Sequence, residues 1–210
     1  MAGADTEIVE LGPNSNGTVM TPWEFDGAEF EPGWRYELVN GVLIVNPPPL
    51  MQERDPNEEL GHRLRTYQKS HPEGAKLNHT VSEQTVNIGP TRRRVDRAIW
   101  AGLGRLPQGT ETPTIIVEFV SSGKRNRHRD YELKRDEYHL AGVLEYWIVD
   151  RFRRTMTVFL FKRDKMTERV VEEGATYTTP LLPGFELSVG DLLALADRWD
   201  DTDTVDTTHT

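Results

Sequence analysis

No cysteine occurs anywhere in the chain. Its absence removes disulfides, thiolate metal ligands and cysteine nucleophiles, and it fits a reducing, cytoplasmic setting. Long apolar runs are missing too: no segment approaches the roughly 20 consecutive apolar residues that a membrane-spanning helix needs. Met1 to Leu11 has no basic start and no apolar stretch, so no secretory signal is expected there. Several common chemistries also find no support. Ser121-Ser122 follows a strand-like segment without the G-x-S-x-G elbow, the 6 histidines are scattered with no H-E-x-x-H, and there is no G-x-x-x-x-G-K loop.

Basic residues are lacking at the ends of the chain. Residues 1–31 hold 7 acidic and no basic residues, and residues 191–210 hold 6 acidic and 1 basic. The formal net charge of −9 argues against a nucleic-acid binder, but residues 32–190 keep 21 acidic against 24 basic residues, a net of +3. The central part is mildly basic, so a polyanionic partner is compatible with it.

The ends read as acidic, disordered tails over 1–19 and 200–210, around a single domain at 20–199. Thr21-Pro22 is a helix start, with Thr21 as cap and Pro22 in the first turn. Asn40-Gly41 between Arg35–Leu38 and Val42–Val45 is a hairpin signal. A helix is predicted from Pro56 to Lys69, and extended segments over 76–88 and 94–100. Ile115 to Val120 is nearly continuously apolar, as in a strand buried on both faces. After a basic loop, a helix is predicted from Asp130 to Ala141, ending at Gly142. Strands at Glu145–Val149 and Thr155–Phe161 pair across a turn, and a last helix covers Val189–Trp199. This order predicts an α/β (α+β) fold, a mixed sheet flanked by helices with an N-terminal β-hairpin.

Glu118 stands inside the apolar strand. A carboxylate there costs several kcal/mol unless it is paired, hydrogen-bonded or bound to a metal. Pairing with a core arginine is the bland alternative. Asp96 lies in a second strand, sharing a face with Ala98 and Trp100. Two neighbouring strands with one carboxylate each would form a hard-oxygen site for Mg²⁺ or Mn²⁺. On the following helix, steps of about 100° gather Tyr131, Lys134, Tyr138 and Ala141, with Leu133 and Leu140 bounding the buried arc and Asp130 and Glu137 inside it. Lys134 and Asp130 then point inward at i, i+4 spacing; a snorkelling lysine is the alternative. Lys124, Arg125, Arg127 and Arg129 precede the helix, where cations oppose its dipole unless an anion is nearby. Arg92, Arg93, Arg94 and Arg97 form a second basic cluster around Asp96. Both clusters are candidates for holding a phosphate backbone.

The segment Arg35-Tyr36-Glu37-Leu38-Val39-Asn40-Gly41, the prolines at 47–49, Asp96, Glu118 with Ser121, Asp130, Lys134, Tyr138, Gly142-Val143 and Glu145 to Asp150 together resemble the Uma-two family of candidate restriction endonucleases. The resemblance covers about residues 20–195. It implies the PD-(D/E)xK nuclease-like superfamily, a restriction-endonuclease-like core and Mg²⁺-dependent (or Mn²⁺-dependent) hydrolysis of nucleic-acid phosphodiesters. Carried over by position, it implies Asp96 and Glu118 as metal ligands and Lys134 in place of the lysine that would normally stand where Val120 does. Asp130 and Tyr138 would support them, and Arg94, Lys124, Arg125, Arg127 and Arg129 would bind nucleic acid. Asn57 stands where the family often has a histidine. The expected partner is nucleic acid, DNA ahead of RNA, without membrane association and with a homodimer left open. The alternative is a catalytically inactive nuclease-fold domain that binds nucleic acid or protein.

Overall fold

The structure, a computed structural model, describes residues 9–123, 128–163 and 165–200. The chain divides into two compact units, one from Met1–Pro48 with Thr85–Arg94, the other from Pro49–Gln84 with Val95–Thr210. Two long strands, β5 (Leu77–Ile88) and β6 (Thr91–Ala101), contribute residues to both.

In the smaller unit, β1 (Glu10–Leu11) pairs in parallel with β2 (Glu29–Phe30), and α1 (Pro22–Asp26) lies between them in sequence. Thr21 caps α1 as its sequence predicts: Thr21 Oγ1 accepts from the Glu24 N–H at 3.2 Å, and Glu24 Oε2 accepts from the Thr21 N–H at 2.6 Å. Strands β3 (Arg35–Val39) and β4 (Val42–Asn46) form the predicted hairpin, with Asn40 and Gly41 at φ of 50° and 80° in the left-handed region that a tight hairpin turn demands. The N-terminal stretch departs from the disorder expected of it from Val9 onward. Leu11 is buried with Met20, Phe25, Tyr36, Leu38 and Leu43, and the Val19 backbone bridges Val42. Polar composition suggested a tail, but one apolar side chain and a few backbone hydrogen bonds suffice to dock it. Residues 1–8 and 201–210, also read as tails, lie outside the described residues.

Arg92 and Arg93 do not form a phosphate-binding surface. Arg92 makes two bonds to Asp26, at 2.7 and 2.8 Å, and Arg93 pairs with Glu37 at 3.4 Å; both arginines are buried. Acidic residues distant in sequence claim them, which strand spacing cannot reveal. Arg94 gives its N–H to Glu37 Oε1 at 3.0 Å, and its carbonyl accepts from Arg35 at 2.9 Å.

The larger unit opens with α2 (Met51–Ser70). The helix begins a turn and a half before the predicted start at Pro56. Proline lacks a donor and disfavours helix interiors, but Glu53 Oε2 caps the Leu50 N–H at 3.3 Å, and Gln52, Glu53 and Pro56 are buried. Next come β7 (Ile115–Phe119), a π-helical turn Arg129–Leu133 leading into α3 (Lys134–Leu140), and the strands β8 (Glu145–Asp150), β9 (Thr155–Lys162) and β10 (Lys165–Glu172). A small ribbon of β11 (Thr176–Thr178) and β12 (Glu186–Ser188) precedes α4 (Val189–Asp197). The strand order is β10-β9-β8-β7-β6, antiparallel throughout except for the parallel pair β7–β8, which the α3 crossover connects. The predicted β8–β9 hairpin is present. Strand β10 is not among the predicted elements: half of its residues are charged and all but Val171 are exposed, as suits an edge strand.

The main core lies on one face of this sheet. Ile99, Ile115, Val117, Phe119, Trp147 and Val149 meet Leu60, Leu64 and Tyr67 of α2 and Leu192 and Leu193 of α4. A buried carboxylate helps fasten the C-terminal ribbon. Glu145 accepts from Trp147 Nε1 at 2.8 Å, from the Tyr177 hydroxyl at 2.9 Å and from Thr179 Oγ1 at 2.5 Å. Glu145→Ala would leave these three donors without their acceptor, so stability should fall by about 3 kcal/mol or more. Urea denaturation checks this; an unchanged midpoint would show that water replaces the carboxylate.

Candidate active site

The candidate site lies on the other face, at the C-terminal end of β7. Strands β6 and β7 pair Ile99 with Ile115, Ala98 with Ile116 and Arg97 with Val117. One further step in this register sets Asp96 opposite Glu118, and opposed residues of an antiparallel pair project from the same face. Both carboxylates are buried, with 4% and 3% of each residue exposed. Asp96 Oδ2 accepts the backbone N–H of Phe119 at 2.7 Å, tying one carboxylate to the strand that carries the other.

Helix α3 covers this face. Lys134 Nζ lies 2.8 Å from Glu118 Oε1 and 3.5 Å from Asp130 Oδ1, and the Tyr138 hydroxyl donates to the same Glu118 oxygen at 2.8 Å. Lys134, Asp130 and Tyr138 are all buried. Among the described residues, Glu118 is thus held by a lysine from the helix and not by a core arginine. The inward direction of Asp130, Lys134 and Tyr138 follows the predicted arc, but its apolar border does not: Leu133 is 50% and Leu140 is 87% exposed. At about 100° per residue, both leucines stand roughly 100° or more around the helix from Lys134 and so fall outside the buried row.

Tyr146 on β8 completes the floor. Its hydroxyl donates to the Asp130 carbonyl at 3.0 Å, and its ring meets Tyr138 edge-on at 4.9 Å between centroids. Burial, and then the nearby charges of Glu118 and Asp130, raise the phenol well above its ordinary range, so it stays a donor. Arg129 donates to Asp130 Oδ1 at 3.1 Å. The predicted basic-loop residues Lys124, Arg125 and Arg127 lie outside the described residues.

Arg97 corrects the second basic cluster. It projects to the opposite face, where Nε donates to Asn57 Oδ1 and Nη2 to the Asn57 carbonyl, both at 2.7 Å. Burial lowers its pKa to about 10, with the charges of Glu58 and Asp96 acting against that shift. It therefore stays charged at neutral pH and belongs to the packing between α2 and β6. Asn57 in turn donates Nδ2 to the Asp96 carbonyl at 2.9 Å. Sequence reading singled out neither Tyr146 nor the Asn57–Arg97 pair. The pair's one trace in the sequence is Asn57 and Gly61, four apart on one helix face.

The donor chemistry fits a hard divalent cation. Two buried carboxylates stand side by side on neighbouring strands. Both described contacts to Glu118 fall on Oε1, and Oε2 carries none of the hydrogen bonds found among the described residues. Among those residues no three His, Asp or Glu side chains converge as a full cage.

The family model Uma2, described as "Putative restriction endonuclease", matches residues 22–190. No curated protein matches the chain. Among solved structures, the chain is similar to the crystal structure of a "putative nuclease belonging to DUF820" from Anabaena variabilis, with a TM-score of 0.66 and 16% identity over 84% of this chain and 99% of that one. At this identity the likeness speaks for the fold, a mixed sheet flanked by helices.

Lys134→Met keeps the stem and removes the charge. It should cost roughly 3–5 kcal/mol, since buried carboxylates lose a shared cation. Adding Glu118→Gln should recover part of the loss. Urea unfolding of the four proteins in this cycle gives the coupling energy; a value near zero would mean the contact contributes nothing to stability.

Proposed function

The chain belongs to the Uma2 family, and from that membership and the site's geometry we propose that it is a metal-dependent endonuclease hydrolysing phosphodiester bonds of nucleic acid, DNA ahead of RNA. The observation that carries this reading is the placement of Asp96 and Glu118 on the same face of neighbouring strands, with Lys134 of α3 against Glu118. Asp96 and Glu118 would hold Mg²⁺ or Mn²⁺, with the Phe119 carbonyl close by. When bound, the ion supplies Lewis-acid charge at the scissile phosphoryl group.

The chain's own residues divide the remaining work. The Asp96 carboxylate is oriented by the Phe119 N–H, and the Glu118 carboxylate by the Tyr138 hydroxyl. The Lys134 ammonium offers positive charge where negative charge grows on the phosphoryl oxygens, in a site that excludes most water. Asp130, close to that ammonium, helps hold it in place. Arg129, with Lys124, Arg125 and Arg127, would contact the sugar–phosphate backbone, and Arg94, in the smaller unit, would make a backbone contact of its own. This assigns these basic residues to binding and the buried cluster to chemistry.

The test is cleavage of plasmid DNA and of single-stranded RNA in Mg²⁺ and Mn²⁺, with metal affinity measured separately. Asp96→Asn and Glu118→Gln should abolish cleavage and weaken Mn²⁺ binding. Lys134→Met should slow cleavage by about 10²–10³ with little change in Mn²⁺ affinity. A parent protein that neither binds Mn²⁺ nor cleaves either substrate would leave the buried Lys134 network as a structural feature of a non-catalytic module.

A further inference from the structure

On the opposite face of β6 from the carboxylates, Asn57 of α2 and Arg97 are joined by buried hydrogen bonds. Asn57 Nδ2 donates to the Asp96 carbonyl at 2.9 Å, while Oδ1 and the main-chain carbonyl of Asn57 both accept from the Arg97 guanidinium at 2.7 Å. Arg97 Nη1 also reaches Thr80 Oγ1 at 3.3 Å. The guanidinium lies over Gly61, one helical turn after Asn57. A Cβ there would stand 2.5–2.7 Å from Nη1, Nη2 and Cζ, so no residue with a side chain fits without displacing Arg97. Asn57 and Arg97 are 5% and 4% exposed.

We propose that Asn57, locked by Arg97 over Gly61, is a positioning unit that fixes the backbone of Asp96 and so aims its carboxylate at the cation site. The inference rests on the nuclease reading for its purpose, but its geometry does not. A planar guanidinium held by two acceptors of one residue leaves the Asn57 amide a single orientation, with Nδ2 directed at Asp96. The carbonyl of Asp96 is then pinned from one face of the sheet, and its side chain is pinned from the other by the Phe119 N–H. Partners of this kind hold a ligand's direction, and their loss ordinarily weakens metal binding 10–100-fold.

Asn57→Asp separates positioning from packing. It retains both acceptors for Arg97 and the side-chain shape, and replaces only the donor to Asp96 with an oxygen that repels the carbonyl. Two readouts are needed. Exchange of the Phe119 amide, bonded to Asp96 Oδ2, reports on the carboxylate without any metal. It should quicken about tenfold, while the amides of Ile115 to Val117 exchange near the parent's rates. Mn²⁺ affinity, followed by electron paramagnetic resonance, should fall at least tenfold despite the added negative charge. Gly61→Ala, which pushes Arg97 from the other side and leaves Asn57 unaltered, should give the same Phe119 response. Phe119 exchange unchanged in both variants overturns the proposal. If Phe119 responds but the parent binds no Mn²⁺, the positioning unit stands and the nuclease reading falls.

Discussion

The rest of the candidate site depends on one interaction, the buried ion pair of Lys134 with Glu118. Each group alone would be costly where it stands, and the pair is tolerable only because further polar groups satisfy it. Tyr138 takes a second bond to the same carboxylate oxygen, Asp130 lies on the far side of the ammonium, and Tyr146 holds the backbone of Asp130. These contacts determine how α3 sits on the sheet. An apolar interface would be easier to build and would leave α3 freer to slide. The polar one fixes register, because a shift of one residue would strand a charge.

Asp130 and Lys134 stand four residues apart, so one side of the helical segment carries both charges to the sheet. The segment's other side faces solvent, with Leu133 and Leu140 exposed.

The two faces of β6 divide the labour of the larger unit. Alternation along the strand sends Asp96 and Ala98 to the α3 side and Arg97 and Ile99 to the side of α2. One side meets the buried carboxylates, and the other meets the apolar core and the Asn57–Arg97 contacts. Asp96 is therefore gripped through both its backbone and its side chain by elements far apart in sequence.

Much of this was legible in the sequence. The Thr21-Pro22 cap, the Asn40-Gly41 turn, the apolar run of β7 and the inward set of Asp130, Lys134 and Tyr138 are all local signals, written in propensities and spacings of a few residues. That Asp96 and Glu118 each sit in a strand was legible too, whereas their opposition follows from the register of β6 against β7. What the sequence could not determine are choices among distant partners. Arg92, Arg93 and Arg97 look alike in a basic run, yet Asp26, Glu37 and Asn57 claim them one by one. The start of α2 before Pro56 and the docking of residues 9–19 likewise follow from burial and hydrogen bonds formed across the fold. Local chemistry fixes which conformations a segment can adopt; only the closed tertiary structure supplies the contacts that decide which of them a charged or strained residue can occupy.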